Sequence, residues 1–178
     1  MKIAVSGAHH TGKTTLIDEL AGSLSGFRTV DEPYYQLVEE GHAFAEMPCL
    51  EDFELQLTRS IESIVLSEGD CLFDRCPYDI LAYLIVHDES EGFAINEWLP
   101  RVQDAMQLLD FVVYVPVEFP DRMPVSDFES LRQCVDEELQ SIILDDRWAF
   151  GVPVIEVEGS PGERARQVLA YMDSEGSL

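Results

Sequence analysis

Residues Gly7-Ala8-His9-His10-Thr11-Gly12-Lys13-Thr14 satisfy G-x-x-x-x-G-K-[ST] at every position. The short apolar run Ile3–Ser6 precedes them, and Thr14–Leu24 then carries Leu16, Ile17, Leu20 and Leu24 at helical spacing. A strand that turns through this motif into a helix is a phosphate-binding P-loop. Its glycines admit backbone angles that turn successive N–H groups inward around phosphate oxygens. The helix N-terminus adds the positive end of its dipole. Lys13 is expected to reach the β- and γ-phosphates, the Thr14 hydroxyl to ligate Mg²⁺, and Thr15 to donate to the α-phosphate. The expected cradle is therefore Gly7, Ala8, His9, His10, Thr11, Gly12, Lys13, Thr14 and Thr15. His9 and His10 stand at free positions, where backbone amides do the binding. Neither side chain is read as a catalyst or a metal ligand.

Lys2 and Lys13 are the only lysines, so composition does not explain a lysine inside the motif. Eleven Lys+Arg against 35 Asp+Glu leave a net charge of −24. Such a surface repels nucleic-acid backbones and anionic membranes, which leaves a small molecule as the expected partner. A well-solvated, soluble surface accounts for the acidity without invoking high salt. The four cysteines form no CxxC pair, so reduced and mostly buried thiols are expected rather than a zinc site or a disulfide scaffold. No window is long and apolar enough for a transmembrane helix, and Met1–Ser6 has no signal-peptide character. The expected location is the cytoplasm. The length of 178 residues suits a single domain spanning 1–178.

Four further strand-like runs follow the first: Phe27–Val30, Cys71–Phe73, Phe111–Val115 and Val152–Val157. Helical patterns separate them over Tyr34–Ala45, Asp52–Leu66, Tyr78–Val86, Asn96–Leu108, from the Ser126/Glu129 capping box towards Leu144, and from Ser160-Pro161 to about Tyr171. The alternation predicts an α/β fold, a three-layer αβα P-loop NTPase with a mostly parallel five-stranded sheet. Ligands in such folds bind beyond the carboxyl ends of the strands. Asp31-Glu32 and Asp74-Arg75 fall at two of those ends, beside the P-loop.

These residues also separate the P-loop classes. A guanine-reading N-K-x-D is impossible with lysine only at positions 2 and 13. That excludes one way of reading guanine, so ATP is the expected donor and GTP stays open. Asp74-Arg75 stands where motor-type ATPases place Asp-Glu, so the water-activating Glu is missing. A kinase needs a carboxylate facing an acceptor hydroxyl and cations around the migrating phosphoryl group. Glu32 is placed to be that base, with Asp31 its rival. Asp74 is placed to hold Mg²⁺ together with Thr14. Arg75 either contacts acceptor or transferred phosphate, or pairs with an acidic neighbour. Gln56 and Arg59 are three apart and are expected to project together, and similarity to nucleoside kinases implies that Gln56 hydrogen-bonds an acceptor base. Tyr34, Tyr35, Phe44 and Tyr83 are candidates to stack on a planar acceptor.

Glu32-Pro33 after the second strand and Asp74-Arg75-Cys76 after the third resemble the Glu-Pro and Asp-Arg-Ser of P-loop nucleoside kinases, with cysteine in place of serine. A closer resemblance covers nearly the whole chain. Gly7–Leu16, Asp52–Gln56, Asp74–Tyr83 and Val157–Arg164 are similar to GxHxTGKTTL, DFExQ, DRxPxDxLAY and VEGSPxER of a family of small AAA-type ATP-binding proteins related to ribosylnicotinamide kinase domains. The resemblance implies a kinase-like fold with a lid after the fourth strand, near 117–132. Arg122 is the favoured lid arginine and Arg132 the alternative. It also implies that Gly159-Ser160 approach the adenine through their backbone. The function expected is transfer of the γ-phosphoryl group of Mg·ATP to a small hydroxyl-bearing acceptor such as a nucleoside. The rival is a regulatory nucleotide-binding module with no acceptor.

Overall fold

Along the first strand, β1 (Lys2–Ser6), successive side chains enter two different cores. Ile3 and Val5 join one buried cluster, while Ala4 joins the other. The same two-residue period sorts β3 (Cys71–Asp74) and β4 (Phe111–Tyr114): Leu72, Phe111 and Val113 face one way, and Cys71, Phe73, Val112 and Tyr114 the other. Strands buried on both faces read as continuous apolar runs, which is why these segments show no polar alternation. With β2 (Arg28–Val30) and β5 (Val154–Glu156) they form one sheet in the order β2-β3-β1-β4-β5, parallel at every pairing. The computed structural model describes residues 1–46, 49–87, 92–118 and 129–175.

Helices α1 (Lys13–Ser23) and α7 (Pro161–Glu175) supply Leu16, Ile17, Leu20, Ala165 and Val168 to the first cluster. Helices α3 (Leu50–Leu66), α4 (Pro77–His87), α5 (Ile95–Met106) and α6 (Glu129–Ile143) cover the opposite face. This is the expected three-layer arrangement. α2 (Pro33–Glu39) packs on α3 beside the β2 edge. Among the described residues, no helix is long and apolar enough to cross a membrane.

Three expectations need correction. The helix expected over Tyr34–Ala45 stops at Glu39. Gly41 adopts φ 91°, its N–H donates to the Val38 carbonyl, and the His42 N–H reaches Leu37, a Schellman closure that glycine makes favourable. Helix α7 runs past Tyr171 to Glu175. The free cysteines are not mostly buried: Cys71 and Cys76 are, whereas Cys49 is half-buried and Cys134 exposed.

The chain adds β2 and β3 on one side of β1 and β4 and β5 on the other. Where the order reverses, adjacent connections leave a crevice at the carboxyl end of the sheet. The register Val5↔Asp74 and Ser6↔Tyr114 brings the ends of β1, β3 and β4 together there.

Candidate active site

The loop after β1 turns where only glycine fits. A Cβ on Gly7 would lie 2.4 Å from the Val115 carbonyl oxygen. Gly12 precedes α1 in the left-handed region, at φ 90°, which L side chains rarely adopt. Lys13 is buried, and its Nζ donates to the Ala8 carbonyl at 2.7 Å. Burial, reinforced by Arg75, pushes its pKa down to about 7, against the pull of Asp79, Asp74 and Glu32. The Thr11 hydroxyl donates to the same carbonyl at 3.0 Å. Thr15 is exposed on the first turn of α1. Two loop amides are already engaged within the protein, Gly7 with Asp79 at 3.0 Å and His9 with Tyr83 at 3.2 Å.

Thr14 Oγ1 donates to Asp74 Oδ2 at 2.9 Å, so the two expected metal ligands are neighbours. Asp74 Oδ1 is buried and has no hydrogen-bond partner among the described residues. Burial raises the Asp74 pKa, with Lys13 opposing it. A hydroxyl beside a carboxylate with an unsatisfied oxygen is a hard oxygen donor set that suits Mg²⁺.

Asp79 organises the space between loop and β3. It is fully buried. Oδ2 accepts the Cys76 N–H at 3.0 Å, the returning half of a capping box at the start of α4. Oδ1 accepts Gly7 N–H at 3.0 Å and Arg75 Nη1 at 3.2 Å. Arg75 is itself left-handed, with φ 76°, a strained angle that surrounding contacts must hold. Its Nε donates to Glu32 Oε2 at 2.7 Å and Nη1 to the Gly7 carbonyl at 3.1 Å. Of the two roles open to Arg75, the structure displays pairing with acids.

Glu32 and Arg75 also line a cavity of about 330 Å³ beside the P-loop. Tyr34, Phe44, Phe53 and Tyr83 form its aromatic walls, and Gln56 and Asp52 contribute polar groups. Tyr34 stacks on Phe44 with centroids 4.5 Å apart, and Phe53 on Tyr83 at 5.7 Å. Asp52 accepts the Ala45 N–H at 3.1 Å, which ties the segment carrying Phe44 to α3. Asp31 is exposed and does not line this cavity. Tyr35, 59% exposed, does not line it either. Gln56 and Arg59 do not project together. Gln56 lines this cavity, whereas Arg59 turns to Glu40 at the end of α2 and lines a separate groove with Arg28.

Arg122 and most of the expected lid, residues 119–128, lie outside the described residues. Arg132 is buried on α6, with Nη2 3.5 Å from the His10 carbonyl oxygen. Arg164 donates to the Thr11 carbonyl at 2.6 Å and to Glu118 Oε1 at 2.9 Å. Glu118 in turn accepts the Gly159 N–H at 2.6 Å, so that amide is already engaged. Sequence reasoning passed over Asp79 and Arg164 beside the loop, and Asp52 and Phe53 in the cavity wall. Asp79 carried a signal, an acid two residues after Pro77 at a helix start. Arg164 carried none beyond closing the VEGSPxER stretch.

Comparison with curated proteins gives no match. Among solved structures the chain resembles deoxyadenosine kinase from M. mycoides with bound dATP, at 16% identity over 97% of this chain and 100% of that one, TM-score 0.67. Thymidylate kinase from Candida albicans gives 14% identity, 98% and 92% coverage, and TM-score 0.66. NadR protein in complex with NAD and AMP-PNP gives 17% identity and TM-score 0.69, over 96% of this chain and 48% of that one. These likenesses establish a P-loop kinase-like fold similar to nucleoside and nucleotide kinases. The AAA domain family matches residues 2–164. The chain belongs to the AAA domain family, in its P-loop kinase-like form.

Proposed function

We propose that the chain binds ATP with Mg²⁺ and transfers the γ-phosphoryl group to the hydroxyl of a small planar acceptor, with a nucleoside as the leading class. The observation that carries this reading is the cavity itself: aromatic walls, next to the P-loop, with Glu32 among the lining residues. Aromatic rings favour a flat ligand by stacking, and a carboxylate within reach of a hydroxyl is the first requirement of a general base.

In the reaction, Glu32 takes the proton of the acceptor hydroxyl as that oxygen attacks the γ-phosphorus. The bond from phosphorus to the β,γ-bridging oxygen breaks and ADP leaves. Arg75 positions Glu32 by holding Oε2 at 2.7 Å, and no hydrogen bond engages Oε1 among the described residues. Lys13 lies against the triphosphate, and Arg132 adds positive charge beside the loop. Thr14 and Asp74 would hold Mg²⁺, which supplies charge neutralisation for the phosphates when bound.

Wild type and Lys13→Ala are incubated with Mg·ATP or Mg·GTP and a panel of nucleosides, nucleotides and vitamin-like alcohols, with products followed by mass spectrometry. An acceptor from the panel is expected to accelerate ADP release and gain one phosphoryl group, and Lys13→Ala to lose both. If ATP binds tightly and no acceptor raises turnover above the basal rate, transfer is wrong. A regulatory nucleotide-binding module then takes its place.

A further inference from the structure

His9 occupies a loop position where the motif specifies no side chain, yet the fold gives its ring a defined partner. The Tyr83 hydroxyl oxygen, on α4, accepts the His9 backbone N–H at 3.2 Å and lies 3.0 Å from Nδ1 of the same residue. Among the described residues that hydroxyl meets no other hydrogen-bond acceptor, and the Arg75 guanidinium stands over the Tyr83 ring, 5.4 Å from its centroid. A hydroxyl hydrogen in a part-buried site needs an acceptor, and the one in reach is Nδ1, so the hydrogen goes there. Nδ1 therefore accepts, and in a neutral imidazole the remaining hydrogen sits on Nε2. The ring is neutral at pH 7: burial, reinforced by His10, Arg75, Arg132 and Lys13, pushes its pKa down to about 4.

Nε2 is buried and meets no hydrogen-bond partner among the described residues. A buried N–H donor without an acceptor is costly, and the loop that carries this one is flanked by three basic side chains, Lys13 on the Ala8 carbonyl, Arg75 on the Gly7 carbonyl and Arg132 beside the His10 carbonyl. Those charges disfavour a cation and favour an anionic oxygen as the missing acceptor. In a P-loop that oxygen belongs to a phosphate.

We propose that His9 Nε2–H donates a hydrogen bond to the terminal phosphoryl group of the bound triphosphate, with Tyr83 fixing the tautomer that makes the donor available. This rests on the reading of the loop as a triphosphate site. Tyr83 also lines the acceptor cavity, so one residue contacts the acceptor's space and sets a donor to the group being transferred.

Isothermal titration of AMP-PNP and of ADP, each with Mg²⁺, into wild type, His9→Phe and His9→Gln tests the contact. His9→Phe is expected to lose about tenfold in affinity for AMP-PNP and under twofold for ADP, while His9→Gln, which keeps an N–H donor, retains most of the affinity. An unchanged AMP-PNP to ADP ratio in a folded His9→Phe overturns the proposal while leaving the triphosphate site intact. Failure of wild type to bind either nucleotide overturns the site and the proposal together. ¹⁵N spectra of the histidine rings need no variant to fold. A wild-type His9 protonated on Nε2 at pH 7.5 is expected, with loss of that preference in Tyr83→Phe. Protonation on Nδ1 in wild type sinks the proposal.

Discussion

The P-loop and the cavity beside it are built in opposite ways. The loop is nine consecutive residues whose function lies in the path of their backbone, with Lys13 as its one lysine. The cavity is assembled from residues 32–34, 44–46, 52–56 and 75–83, and its function lies in side chains. From its wall a charged chain runs inward, Glu32–Arg75–Asp79, part-buried at Glu32 and Arg75 and fully buried at Asp79, in which each group holds the next. Asp79 joins the two regions by accepting both the Gly7 N–H and the Arg75 guanidinium. A phosphate group presents the same oxygens to every kinase, so a fixed backbone path serves. An acceptor differs from enzyme to enzyme, and side chains are where that difference is written.

The sharpest way to separate the regions is Glu32→Gln. Acceptor-dependent turnover is expected to fall by about 10²–10⁴-fold, with ATP affinity, read by calorimetry, within about twofold of wild type. Comparable losses in both would show that Glu32 serves the loop as well. Asp79→Asn attacks the joint instead. It leaves Arg75 without one of its two carboxylates and sets amide hydrogens against N–H donors, at a cost of about 3 kcal/mol in urea unfolding. A cost under about 1 kcal/mol would mean that loop and cavity are held together by other contacts.

Phe44→Leu removes one partner of the 4.5 Å stack and keeps an apolar side chain. The acceptor KM is expected to rise by about three- to tenfold, with no change in the KM for ATP. A shift in both would break the division of labour. The smallest effect is protonic and belongs to the loop. Lys13 is depressed to about 7 in the free protein, and nearby phosphates favour its charged form, raising that value. Nucleotide binding at pH 8 should therefore take up most of one proton, and affinity should weaken as pH rises from about 7. Titrations in buffers of different ionisation enthalpy measure the uptake, and proton release would contradict the assignment.

Legibility followed the same division. Ile3–Ser6, Cys71–Phe73 and Phe111–Val115 announced themselves as buried strands because both faces of a parallel strand are covered. Gly41 could have been read as the stop of α2, since a glycine after a polar helix end is a recognised signal. The pairing of Thr14 with Asp74 followed from P-loop chemistry. The choice between Asp31 and Glu32 did not, because adjacent residues after a strand point in different directions. Spacing alone predicts one unit of Gln56 and Arg59, yet the long Arg59 side chain follows the charge of Glu40.

By itself the sequence determined the phosphate loop, since the spacing of two glycines, a lysine and a threonine acts through backbone geometry within a single turn. It also determined the order of strands and helices, because hydrophobic period is a local property. Only the tertiary structure decided which carboxylate meets the cavity, that Arg75 is held between Glu32 and Asp79, and that the Tyr83 hydroxyl meets Nδ1 of His9. Those facts depend on residues far apart in the chain meeting in a low-dielectric interior. There, each unsatisfied donor or charge must find its partner across the fold.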